Sequence, residues 1–326
     1  MKLALGLSLT VLALVTLSLL TGPAEVGAGE SLRALVFGSD GPLGMVMREI
    51  RLPRALLAPL IGAGLGLAGA AMQGYLRNPL ADPGLIGVSG SAALGAVLAI
   101  QTGIAGSLTL GLPLSALAGA LVGVALVLVL AGPGGGALTL ILAGIAISAL
   151  AGALTSLVLN LSPNPYAANE IVFWTMGSLA DRSMTHLWLA LPLLAVGMAL
   201  LLSLGRGLDA LTLGEDAAAA MGVRPARLRL GLVIGTALVV GSATAVAGSI
   251  GFVGLVVPHL LRRATGGRPA PLLWASALGG AAMLTAADIA VRLVLPDRDL
   301  KLGVLTALVG APLFLHLIWR SRGERA

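Results

Sequence analysis

Residues 51–90 read RLPRALLAPLIGAGLGLAGAAMQGYLRNPLADPGLIGVSG, and their layout decides the fold. Arg51 and Arg54 open the stretch, and an apolar run rich in alanine, glycine and leucine follows over 55–72. The polar knot RNPLADPG at 77–84 interrupts it, and a second apolar run begins at once. About 20 apolar residues are needed to cross a bilayer as a helix. Small residues let neighbouring helices approach closely in lipid. The stretch therefore predicts a membrane helix with a charged mouth, a non-helical break and the start of the next span.

The rest of the chain agrees. It is 57% hydrophobic and 10% charged, with a mean hydropathy of +1.01, where soluble domains carry about 25% charged residues. The alternation of an outer-membrane barrel is absent. We expect one all-α integral membrane domain over 1–326, with about ten spans at the usual helix length. The absence of cysteine excludes a disulfide framework and thiolate chemistry. The net charge of +6 comes from 18 arginines and 2 lysines scattered through short loops. Scattered charge suits orientation in a bilayer, not nucleic-acid binding.

The apolar run at 1–20 reads as a first helix. A signal peptide is the other reading, given Lys2 and the small residues at 24–28. A polar connection fills 21–50. The second span covers 52–73, and the charge-free 85–131 holds a third and fourth, divided near QTG at 101–103. GPGGG at 132–136 precedes a fifth span over 137–159. In the outer-mouth segment 160–186, Pro163 and Pro165 should break the helix. A short surface helix is expected over 170–179, with Trp174 as interfacial anchor. The sixth span is 187–204. In the polar segment 206–229, Glu215 and Asp216 open a short helix that Met221 and Gly222 close. GSIG at 248–251 divides a seventh span from a shorter eighth. The ninth covers 272–289, a polar turn PDRD lies at 296–299, the tenth covers 303–319, and a basic tail follows.

Ten spans place both termini on one side. With the N-terminus inside, twelve Lys and Arg residues fall on the cytoplasmic side against eight outside, the expected direction of bias. AGLGLAGAAMQG at 63–74 is echoed by SATAVAGSIGFVG at 242–254, each before a proline-containing break. Paired interrupted segments in two halves are a transporter signature.

The chain has no P-loop motif, and its three histidines, His186, His259 and His316, are far apart. No catalytic set, cofactor or resident metal is expected. Asp82 and Asp288 are carboxylates at or near membrane depth, which makes them functional candidates. A proton-coupled secondary transporter using them is one reading. In the other, Asp82 caps the turn at Pro83 or pairs with Arg77, and Asp288 pairs with Arg292 at i,i+4. Asn78, Pro79, Asp82 and Pro83 form one candidate pathway or structural break, and Pro258 with His259 another. The 206–229 segment is either a docking surface or a connector.

The 51–96 stretch, LGEDAAAAMGV at 213–223, AGSIGFVGLVVPHLLR at 247–262, ADIAVR at 287–292 and LGVLTALVGAPLFLHLI at 302–318 together resemble the FecCD family of ABC-transporter permeases. The resemblance implies a type II importer permease bundle of two related halves, in a bacterial inner membrane. It also implies a homodimer, two cytoplasmic P-loop ATPase subunits and an extracytoplasmic substrate-binding protein. ATP hydrolysis would belong to the separate ATPase chain. The cargo would be a ferric siderophore, cobalamin or haem. By the same resemblance, Leu213, Gly214, Glu215, Asp216, Ala217, Met221 and Gly222 form the ATPase-coupling region. Arg51, Arg54 and Arg292 would dock the binding protein, headgroup binding being their other reading.

Overall fold

A computed structural model describes residues 2–22, 27–37, 41–132, 134–294 and 300–323. The expected PDRD turn lies outside them. All regular structure among the described residues is helical. We number ten helices: α1 (Lys2–Leu20), α2 (Leu52–Leu76), α3 (Val88–Gln101), α4 (Gly111–Ala131), α5 (Ala137–Leu161), α6 (Met184–Ser203), α7 (Pro225–Ala247), α8 (Val253–Leu261), α9 (Pro269–Val294) and α10 (Leu302–Gly323). Among the described residues, seven helices are long and apolar enough to cross a membrane. Of the other three, α8 is the shortest. Its nine residues rise only about 14 Å, roughly half of a 30 Å hydrocarbon core. Residues 248–252, between α7 and α8, are not helical, and Gly248 and Phe252 hold positive φ angles of 72° and 68°.

Hydrogen bonds define two faces. On one, Arg292 Nη1 donates to the carbonyls of Ser18 and Thr21 at 2.9 and 2.8 Å, joining the ends of α1 and α9. On the other, Asp209 receives Arg268 Nη2 at 3.1 Å and the Ala270 backbone N–H at 2.8 Å, which caps the start of α9. We call them the 162–183 face and the 204–224 face, after one connection on each.

Packing follows from small residues. A Cβ on Gly62 would strike the Gly280 carbonyl, one on Gly66 the Ser276 carbonyl, and one on Gly69 the Gly254 carbonyl. These contacts let α2 lie against α9 and α8. Leu57, Ile61, Leu67 and Met72 of α2 are fully buried. The second half mirrors the first. There α7 packs on α3 and α4, α5 rests on α3 and α4, and α10 rests on α8 and α9. With the halves counted as α2–α5 and α7–α10, the helix that opens each thus packs in the other, and α2 touches α7 between them. The echo at 63–74 and 242–254 falls on these two helices. The first copy stays inside an unbroken helix, whereas the second runs off α7 into the non-helical 248–252.

Two local expectations are corrected. The helix breaks where Pro163 and Pro165 predict, α5 ending at Leu161, but the short helix expected over 170–179 is Pro165–Thr175. Pro165 starts it, because its missing N–H is no loss at the first position and Asn164 Oδ1 accepts the Tyr166 N–H at 3.0 Å. Trp174 is not an interfacial anchor but buried, at 9% exposure.

Candidate functional site

Four places gather the polar chemistry. The first is at the 162–183 face, where α1, α2 and α9 meet. Asp288 is fully buried. It accepts Arg54 Nε at 2.8 Å and Arg292 Nη2 at 3.0 Å, so the i,i+4 pairing holds with a second arginine added. Arg51 is 3% exposed and donates from Nη1 to the Leu19 and Leu20 carbonyls at 3.3 and 3.4 Å. Arg51 and Arg292 therefore hold the last carbonyls of α1, the negative end of that helix. The carbonyls at the end of α1 draw these two guanidinium groups inward. The Arg54 side chain keeps 16% exposure, and Arg48 and Glu49 are exposed beside it.

The second is the break after α2. Arg77 takes the left-handed conformation that ends the helix, and Asn78 Oδ1 accepts the Leu80 N–H at 3.0 Å. Asp82 Oδ1 accepts the Gly84 N–H at 2.7 Å as the cap of a short 3-10 turn. Pro79 is exposed and Pro83 buried, with Pro83 where a Cβ on Gly254 would fall. The turn rests against Gly144 of α5. Asp82 and Asp288 thus hold defined structural partners, and neither geometry favours a proton relay. Nearby, Gln73, 1% exposed, donates from Nε2 to the Leu255 carbonyl at 3.1 Å and accepts Arg262 Nη2 at 2.7 Å. Pro258 is buried in α8 and His259 half-buried in its last turn. Gln73 and Arg262 were missed in the sequence; a lone glutamine inside an apolar run was the available signal.

The third is the 204–224 face. A short helix, Glu215–Ala220, lies between Gly214 and Gly222, both in left-handed conformations with φ of 107° and 85°. Ala218, on its inner side, is fully buried, while Leu213 and Met221 are 68% and 64% exposed. Glu215 and Asp216 are exposed and Ala217 half-buried. The sequence placed α7 from Leu230, but it begins at Pro225. Arg229 therefore sits in its second turn, donating to the Gly132 carbonyl at 2.9 Å and to that of Gly135.

The fourth is an open groove of about 670 Å³ between α10 and the non-helical 249–252. Thr175, Ser249, Phe252, Gly303 and Leu308 contribute to its wall, and none of its lining residues is charged. Beside it Gly177, Gly248 and Gly303 meet. The Gly303 N–H donates to the Gly177 carbonyl at 3.2 Å, and the Ser178 N–H to that of Ala247 at 2.7 Å. Lys301 Nζ lies 5.2 Å from the centre of the Phe173 ring. Three segments are thereby knotted at the groove rim.

Residues 9–320 match the FecCD transport family. The chain belongs to this family. It is 38% identical to the hemin transport system permease protein HmuU of Yersinia pestis, over 100% of this chain and 98% of that one. It is 37% identical to the vitamin B12 import system permease protein BtuC of Klebsiella pneumoniae, over 98% and 94%. A solved chain assigned to the metal-chelate type of ABC transporter, in an inward-facing conformation, superposes with a TM-score of 0.86. Its identity is 35%, covering 98% of this FecCD chain and 99% of the solved one.

Proposed function

We propose that this chain is the membrane-spanning permease subunit of an ATP-driven importer for a metal chelate. The observation that carries the reading is similarity over the whole length to permeases named for hemin and vitamin B12 import. The 204–224 face is then cytoplasmic. Its Glu215–Ala220 helix, with Leu213 and Met221 standing out beside two acids, is the surface a separate ATPase grips. The working unit is two copies of the chain with two ATPase subunits, in a bacterial inner membrane. A substrate-binding protein docks at the 162–183 face, through Arg48 and the exposed edge of Arg54 over the buried Arg51 and Arg292. The groove near α10 lacks charged walls, so the cargo is a chelate whose metal is enclosed by its ligand, of the haem, cobalamin or ferric siderophore kind.

The test is uptake into vesicles containing the chain and its ATPase. Glu215→Ala with Asp216→Ala should lower ATP-driven uptake about tenfold, the loss of one interface hot spot, while the protein stays folded. Unchanged uptake would remove the coupling assignment. Uptake that needs no ATPase and stops when a proton gradient is dissipated would overturn the importer reading.

A further inference from the structure

We propose that the open groove where α6 ends and α7 begins binds the headgroup of an anionic phospholipid, whose acyl chains lie along those two helices. The groove, of about 420 Å³, runs between Ser203, Gly207 and Gly222, and Arg224 and Arg227 line it. Both arginines are exposed, and neither forms an ion pair among the described residues. No acidic residue lines the groove. Asp209, two positions beyond Gly207, is held instead by Arg268 Nη2 and the Ala270 N–H.

Three observations select the occupant. The first is sign. Two guanidinium groups with no carboxylate between them suit a phosphate, which they can grip with paired N–H donors. The second is what adjoins the charge. Arg227, Leu230 and Ile234 follow at i, i+3 and i+7, so they share one face of α7, with Leu230 and Ile234 46% and 37% exposed. Val196, Ala199 and Ser203 repeat that spacing on α6, and all three are exposed. Both helices are long and apolar enough to cross a membrane. The last residue of one stripe, Ser203, and the first of the other, Arg227, both line the groove. An anion that carries hydrocarbon therefore meets charge and bare apolar surface together, within the roughly 10 Å of helix rise from Arg227 to Ile234. A soluble phosphate would engage the arginines alone. The seam itself is shut below the groove, since a Cβ on Gly231 would press on Leu204 and one on Gly235 on Leu201. The acyl chains thus lie over the two helices, not between them. The third is direction. None of residues 215–220 lines the groove, so its charge belongs to the lipid-facing stripe of α7 and not to the short helix offered to the ATPase. Basic side chains at the end of a span reach the headgroup layer in this way.

The experiment is native mass spectrometry of the full chain, purified in a delipidating detergent. It is offered equal amounts of phosphatidylglycerol and phosphatidylcholine carrying the same palmitoyl and oleoyl chains. The wild type should retain phosphatidylglycerol in preference. Arg224→Gln with Arg227→Gln should cut that retention about thirtyfold, the weight of two basic contacts at a membrane surface. Both positions are exposed, so the double variant should fold as the wild type does. Arg263→Gln, at an exposed arginine between α8 and α9 and outside the groove, should retain the lipid fully. Equal retention of the two lipids by the wild type, or an equal loss in the Arg263 variant, would overturn the proposal. Complete displacement by equimolar glycerol 3-phosphate, which has the phosphate without the chains, would overturn it in favour of a soluble anion. Release of the lipid on adding the ATPase would overturn it by giving the two arginines to that partner.

Discussion

Asp288 is the residue on which the most depends. It is buried without water access, and two arginines from different helices neutralise it. A buried pair of this kind adds little over an apolar substitute, but removing one partner leaves uncompensated charge. Asp288→Asn keeps the shape and removes the charge. It leaves Arg292, with 8% side-chain exposure, facing Arg54 with no anion between them. We expect a loss of about 3 kcal/mol, at the lower end of the range because Arg54 can reach water. Thermal unfolding in detergent measures it, and a loss below about 1 kcal/mol would show the cluster to be screened by solvent. At this scale the sequence was half legible. The i,i+4 spacing revealed Arg292 as the partner of Asp288. Arg54 lies 234 positions away, so local spacing could not show that contact, and Arg51 turned inward for carbonyls that only the folded end of α1 presents.

At the scale of elements, glycines set which helices touch. Gly69 of α2 faces the Gly254 carbonyl at the start of α8, with no room for a methyl group. Gly69→Ala must push α8 away and strain the Gln73 contact to Leu255. Overpacking typically costs about 1–3 kcal/mol, and this clash is with rigid backbone, so we expect the upper part of that range. Gly6→Ala, in α1 with nothing within 4 Å, should be neutral or slightly stabilising in the same unfolding measurement, since alanine is the better helix former. Equal effects at the two sites would mean that α8 shifts at little cost. The existence of ten apolar segments was legible because spans need a minimum length of apolar residues. The ends of elements were less so. Pro163 and Pro165 read as breakers, yet Asn164 converts Pro165 into a helix start. The helix α7 begins several residues before its apolar run, since the arginines of its first turns reach out to solvent or to the carbonyls of the 132–136 loop.

For the whole molecule, the decisive feature is the exchange of α2 and α7 between halves. Each leaves its own half to pack on the second and third helices of the other. The echo at 63–74 and 242–254 hinted at two halves, but repeat signals do not say whether the halves stand side by side or interlock. Interlocking has a measurable consequence. Cutting the chain between the exposed Leu213 and the half-buried Gly214 severs one covalent link and leaves every interhelical contact available. The fragment 1–213 alone would expose the faces of α2 that bury against α8 and α9, and 214–326 alone would expose the face of α7 that belongs on α3 and α4. A small-residue helix face in lipid gains its stability from close packing with one partner, so neither fragment has a substitute for the missing surface. The two fragments, expressed together, should therefore copurify through detergent as one complex, while each alone should aggregate or be degraded. Two fragments that purify separately as stable, monodisperse species would show that each half folds on its own and that the crossing of α2 and α7 is a docking step after folding, not a condition of it.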